Sequence, residues 1–147
     1  MSQNPSLRVS VSDKSETNSE VYKVKRLELI KMVFEKYKLA QGNIMIAFSD
    51  KNLSVGTIEL NPKQELLKHN RPVLESLFQL EGKCIIKLFE DYGKVRDVTL
   101  NKGDSIDIPP LKFHIHSNPF DENSITFWKA SGDITEIINK IRESSKL

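Results

Sequence analysis

Two stretches decide how this chain is read. The first is His69-Asn70-Arg71-Pro72-Val73-Leu74-Glu75, followed after six intervening residues by Gly82. The second runs from Gly103 through Pro109 to His114-Ile115-His116 and on to Asn118. The chain has 3 histidines, and all of them fall in these two stretches. In a strand, residues i and i+2 point to the same face about 6.6 Å apart. His114 and His116 therefore share a face if this segment is extended.

The sequence around them is β in texture. Ile44–Phe48 is a short apolar run, and Leu53–Leu60 is a second, rich in Val, Thr and Ile, that stops at Asn61-Pro62. Glu75–Glu81 and Lys83–Phe89 flank Gly82. Lys94–Leu100 alternates between the turn signals Asp91-Tyr92-Gly93 and Asn101-Lys102-Gly103-Asp104. Ile106 and Ile108, Phe113–Ser117 and Ser124–Ala130 complete the series. Short strands at such spacing imply a sandwich or barrel. Alternation from Glu75 places Leu77 and Gln79 inside, with Ser76, Phe78 and Leu80 on the other face. One of Phe127 and Trp128 faces the core. Cys84 opens an apolar strand and reads as a small buried hydrophobe.

The two ends differ from this middle. Residues 1–19 are polar and rich in Ser, Asn, Asp and Lys, a composition expected of a flexible arm. Residues 20–43 form a separate segment. Glu20–Lys25 partly alternates, and Leu27, Ile30, Val33, Phe34 and Tyr37 then mark one face of a helix stopping at Gly42-Asn43. Residues 44–130 hold the barrel, and 131–147 a C-terminal helix. In that helix Ile134, Ile137, Ile138 and Ile141 make an apolar stripe, and Asp133 with Glu136 resembles a capping box.

The 147 residues carry 22 Lys plus Arg against 20 Asp plus Glu, so a net charge of +2 argues against a nucleic-acid stripe or a polybasic membrane anchor. One cysteine cannot form an internal disulfide. No run approaches the roughly 18 apolar residues of a membrane span, and the polar Met-Ser-Gln-Asn-Pro start has no apolar signal region. A cytoplasmic protein with neither nucleic-acid nor membrane partners is expected.

With both stretches in view, the chain resembles the cupin superfamily, including small cupin-fold metalloproteins. That family's first motif is His-x-His, three or four residues, Glu, six residues, Gly. Its second is Gly, five residues, Pro-x-Gly, two residues, His, three residues, Asn. His69, Glu75 and Gly82 match the first, and Gly103, Pro109, His114 and Asn118 the second. The resemblance covers about residues 44–130. It implies a mainly β, cupin-type jelly-roll barrel flanked by the helical N-terminal segment and the C-terminal helix. It also implies one divalent transition metal (Fe, Mn, Ni, Cu or Zn) held by His69, Glu75 and His114, a two-His-one-carboxylate set. Many cupins are dimers, so a homodimer is among the expectations.

Two positions depart from the pattern. Arg71 stands where the family has its second histidine, and Leu111 where it has the glycine of the second motif. Two placements of His116 stay open: inward as a fourth ligand, or away from the site. Arg71 is open in the same way. Facing inward, it would favour the ionised form of Glu75, repel a dication and bind an anionic ligand together with Gln79 and Asn118. Facing outward, it sits at the barrel mouth. Three functions follow: a metal-dependent oxidoreductase of the dioxygenase type acting on a small molecule, a metal-free sugar isomerase or epimerase, and a non-catalytic small-anion sensor.

Overall fold

The computed structural model describes residues 34–144. Among them ten strands are followed by one helix. The strands are β1 (Glu35–Leu39), β2 (Gly42–Ser49), β3 (Ser54–Leu60), β4 (Gln64–Glu65), β5 (Leu74–Glu81), β6 (Cys84–Phe89), β7 (Val95–Leu100), β8 (Ser105–Ile108), β9 (His114–Asn118) and β10 (Ser124–Ser131); α1 spans Thr135–Ser144. Asp91–Gly93 forms a 3-10 turn between β6 and β7. Six strands form one sheet in the order β1-β2-β3-β10-β5-β8, and four form a second in the order β4-β9-β6-β7. Every pairing is antiparallel.

Alternation dictates what lies between the sheets. On β5 Glu75, Leu77 and Gln79 are buried while Ser76, Phe78 and Leu80 are only partly so. On β6 the buried set is Cys84, Ile86 and Leu88. Trp128, not Phe127, takes the inner face of β10. Each such aliphatic side chain contributes about 1.5–3 kcal/mol on full burial. Gly56 on β3 is required by the tryptophan: a Cβ there would lie 1.9 Å from Met45 O and 2.6 Å from Trp128 Cζ2. Gly82 turns β5 into β6 with φ +66, and a Cβ would meet Asn123 O at 2.3 Å. Both demands exclude any side chain larger than hydrogen.

The expected N-terminal helix is corrected at its last turn. Glu35–Leu39 is a strand, paired to β2 with Tyr37 opposite Ile44. Tyr37 is buried between exposed Lys36 and Lys38, an alternation of period two. The spacing of Phe34 and Tyr37 suits a helix locally, and sheet pairing overrides that preference. The expected arm at 1–19, the strand at Glu20–Lys25 and the start of the helix lie outside the described residues.

The C-terminal helix forms where its stripe implies. Asp133 Oδ1 accepts from the backbone N–H and the hydroxyl of Thr135, at 3.0 and 2.7 Å, and so caps the first turn. Ile134 and Ile138 are buried, with Ile137 and Ile141 packed beside them. The far end is tied to β1: Arg142 donates from Nε and Nη2 to the two oxygens of Glu35, at 2.7 and 2.8 Å. This ion pair holds the Glu35 carboxyl below its usual range, through the Arg142 hydrogen bonds first and then that from Tyr37. Among the described residues no helix is long and apolar enough to cross a membrane.

Candidate metal centre

The two sequence stretches meet through their backbones. His69 and His114 form an isolated antiparallel bridge, with His69 N–H donating to His114 O at 3.0 Å and His114 N–H to His69 O at 2.8 Å. Leu111 N–H donates to Arg71 O at 2.7 Å, and Asn70 Nδ2 to Leu111 O at 3.1 Å. The segment carrying the first histidine is thus an added rung beside β9, which carries the other two. Glu75 reaches the same place from β5 in the opposite sheet.

The result is a compact donor group. His69, Glu75, His114 and His116 each offer a ligand atom, and these atoms all lie within 4.8 Å of one another. Donors held at about 2.0–2.2 Å from one ion must lie within about 4.4 Å of each other, so a small contraction brings this group to coordinating distance. The ring centroids are 4.3 Å apart for His69 and His114, 5.3 Å for His69 and His116, and 5.2 Å for His114 and His116.

The hydrogen bonds leave the right atoms free. His69 Nδ1 lies 2.7 Å from Leu67 O, and His114 Nδ1 lies 2.9 Å from Lys112 O. A carbonyl only accepts, so each Nδ1 carries a proton, and in the neutral ring each Nε2 keeps a lone pair, the pattern expected around a bound metal. Glu75 Oε1, His114 Nε2 and both ring nitrogens of His116 are buried without a hydrogen-bond partner. Glu75 Oε1 and His114 Nε2 lie 3.1 Å apart. Buried polar atoms of this kind cost about 1–3 kcal/mol each when left unpaired. Lone pairs converging on one point are what a cation would satisfy, so the residues present fit a divalent metal.

Protonation states agree. Burial, with the Arg71 cation second, lowers His69 to about 4. Burial lowers His116 to about 3. For Glu75 burial pushes upward, but the contact with His114 and the field of the neighbouring histidines and Arg71 prevail, leaving the carboxyl at about 2. Near neutral pH His69 and His116 are neutral and Glu75 is ionised, the forms that bind metal. Burial raises the Cys84 thiol to about 11, which keeps it protonated and unreactive.

Beside this group lies a cavity of about 280 Å³. His69, Arg71 and Glu75 line it, and aliphatic side chains close it, from Ile44 and Ile58 on the sheet and from the isoleucine stripe of α1. Arg71 therefore faces inward, toward the cavity. Trp128 also lines it, with its buried Nε1–H unpartnered. In the sequence this indole is legible only as a core candidate, because nothing local marks which polar tips will lack a partner.

Gln79 and Asn118 sit elsewhere. Gln79 Nε2 donates to Ser124 Oγ at 2.9 Å and Glu81 O at 2.8 Å, while its Oε1 accepts from Thr126 Oγ1 at 2.7 Å. Asn118 Nδ2 faces the carbonyls of Leu60, Asn61 and Glu122 at 2.8–3.1 Å. Neither lines the cavity. Both tie strands and loops together, with their polar atoms already engaged. Leu111 adopts φ +69, so the turn before His114 keeps the left-handed backbone of a glycine while bearing a leucine.

Comparison with known proteins agrees with the architecture. No family model matches the chain. A 3-hydroxyanthranilate 3,4-dioxygenase of Shewanella woodyi is 32% identical over 78 residues, which is 53% of this chain and 38% of that protein. The Bacillus subtilis oxalate decarboxylase, which has Mn(II) centres, superposes with a TM-score of 0.62 at 22% identity, over 71% of this chain and 29% of that one. An RmlC-like cupin from Shewanella frigidimarina gives 0.60 at 18% identity, over 71% and 88%. These likenesses show a cupin-type fold. The chain spans about 38% of the length of the dioxygenase it matches.

Proposed function

We propose that this cupin holds one divalent transition metal between His69, Glu75, His114 and His116, and that it is a metal-dependent oxidoreductase of the dioxygenase type acting on a small molecule. The observation that carries the reading is the convergence of buried, unpartnered donor atoms from both sheets. The partial likeness to a dioxygenase supports the reaction class. A bound ion of this kind supplies Lewis-acid polarisation and, if redox-active, chemistry with dioxygen.

The chain's own residues supply the rest. The carbonyls of Leu67 and Lys112 fix the tautomers of His69 and His114. Glu75 supplies one negative charge, so a dication keeps a net positive charge toward a ligand. Aliphatic side chains of the sheet and α1 line much of the adjoining cavity, and apolar walls strengthen electrostatic contacts beside them. A metal-free isomerase would pair a histidine base with a tyrosine or an acid. Tyr92 is wholly exposed on the turn after β6, which leaves Glu75, beside His114, as the acid, and the metal reading gives that carboxylate to the ion. For assembly, the exposed edge strand β7 supports a homodimer, read by light scattering as twice 16.8 kDa.

The test is metal content by plasma mass spectrometry, on protein purified without a tag and again after chelation and reloading. Near one equivalent of one transition metal is expected, lost in a His69→Ala/His114→Ala double variant. No uptake of Fe, Mn, Ni, Cu or Zn by folded protein would overturn the reading.

A further inference from the structure

The cavity beside the metal group has a chemistry of its own. Its polar atoms not spent on the donor group include two strong donors. Arg71 points into it and uses one N–H, from Nη1 to Asn70 O at 3.1 Å. Among the described residues the guanidinium makes no ion pair, although it is largely withdrawn from water. Trp128 Nε1–H is buried in the same wall with no acceptor. An indole N–H only donates, and a guanidinium has five N–H groups and no acceptor. A guanidinium with N–H groups to spare beside apolar walls calls for an anionic acceptor.

Apart from Gln41, the remaining wall is hydrocarbon. Ile44, Ile58, Ile134 and Ile138 face the space, so the occupant carries an apolar body. At about 280 Å³ the chamber is just below the roughly 300–1,000 Å³ of drug-sized sites, which sets the occupant at the size of a small metabolite.

We propose that this chamber binds a small organic carboxylate with an apolar body, its carboxylate paired to Arg71 and its body against Trp128 and the isoleucines of the sheet and α1. The proposal rests on the metal reading in one respect: the Glu75 carboxylate is taken up by the ion, which leaves Arg71 as the charge without a partner. On this view the arginine in the place of a family histidine exchanges a metal ligand for a substrate anchor.

Trp128 is the chain's only tryptophan, so its fluorescence reports on the chamber directly. The experiment titrates hexanoate, benzoate, hexanol, hexylammonium and inorganic phosphate into the full chain, once chelated and once loaded with redox-silent Zn²⁺. Expected is a saturable change with hexanoate and benzoate, at least ten-fold weaker binding of hexanol and phosphate, and no response to hexylammonium. Arg71→Gln should weaken carboxylate binding at least ten-fold, and Arg71→Lys, which keeps a cation, by less.

Equal binding of hexanol and hexanoate by the wild type overturns the proposal without relying on any variant. So does carboxylate binding that Arg71→Gln leaves unchanged, which would assign the anion to the zinc, or no carboxylate binding in either state. Metal content measured on the same samples separates the two readings. Arg71-dependent carboxylate binding by protein that takes up no metal upholds the chamber and removes the metal. Metal uptake without carboxylate binding does the reverse.

Discussion

Two buried polar clusters share the interior between the sheets, and they are built on opposite principles. Around Gln79, Thr126, Ser124 and Asn118 the side-chain amides find partners at 2.7–3.1 Å, so the cluster closes on itself. Around His69, Glu75, His114 and His116 the tautomers of His69 and His114 are fixed from outside, and Glu75 Oε1, His114 Nε2 and both ring nitrogens of His116 are left without a hydrogen-bond partner. A satisfied network specifies a fold, while an unsatisfied one stays costly until something arrives. The same interior thus separates a structural polar cluster from a receptive one.

The largest expected effect breaks the closed cluster. Asn118→Ala removes the donor to three carbonyls and the acceptor for Phe120 N–H. It should cost on the order of 3 kcal/mol in urea unfolding, since each orphaned buried group costs about 1–3 kcal/mol. Metal stoichiometry of the folded fraction should be unchanged. A variant that keeps wild-type stability but loses metal would place Asn118 in the site and erase the distinction between the clusters.

The next effect is of similar size and runs the other way. Adding the cognate ion to chelated protein at about 100 times its dissociation constant should stabilise the fold by about 2.7 kcal/mol, a rise in Tm of roughly 5–10 °C at this chain length. Glu75→Gln keeps the shape but offers a neutral amide in place of a carboxylate, so the shift should largely vanish. An undiminished shift would mean that Glu75 does not hold the ion.

How much of this is legible in the sequence follows from the same contrast. Most strands from β2 to β10 are readable because alternation and turn residues are local signals, whereas their pairing and the short β4 are not. Glu75, Leu77 and Gln79 take the inner face for that reason. His69 and His114 are readable as partners only through motif spacing, since they are 45 positions apart in the numbering and join through a backbone bridge. His116 stays open in the sequence because strand phase says that it shares a face with His114, not what waits there. Gln79 and Asn118 cannot be told from ligand-binding residues, because an inward amide reads the same whether its partners are a carbonyl or a substrate. β1 reads as helix because Phe34 and Tyr37 are three apart, and only pairing with β2 resolves them.

Acid should sharpen the contrast at the third level. The folded-state values of His69 and His116 lie near 4 and 3, against an ordinary 6.5. Between those limits the unfolded chain binds protons that the folded chain refuses. Stability is therefore fully present above about pH 6.5 and lost as pH falls toward 4. Each such histidine contributes a slope of at most about 1.4 kcal/mol per pH unit, so the pair should cost the chelated protein on the order of 3 kcal/mol between pH 6.5 and 5. Glu75 adds loss in the same direction, but only below about pH 4.5. Urea melts across this range should show the slope, and His116→Gln should remove about half of it. A flat profile would mean that the histidines protonate freely, and the cluster would then not be a buried, receptive one.

The smallest effect concerns the scaffold that presents His114. Leu111 holds φ +69, with its N–H on Arg71 O and its own carbonyl accepting from Asn70 Nδ2. A left-handed backbone costs a residue with a Cβ about 1–2 kcal/mol, and glycine relieves this while adding entropy to the unfolded chain. Leu111→Gly should therefore stabilise by about 0.5 kcal/mol, with little packing lost because the leucine side chain is largely exposed. The sign carries the information. Stabilisation with unchanged metal affinity would mean that the strain is incidental and the turn is set by its backbone bonds. Destabilisation would mean that the leucine covers part of the barrel mouth, and that its place in the motif has been taken over for contact.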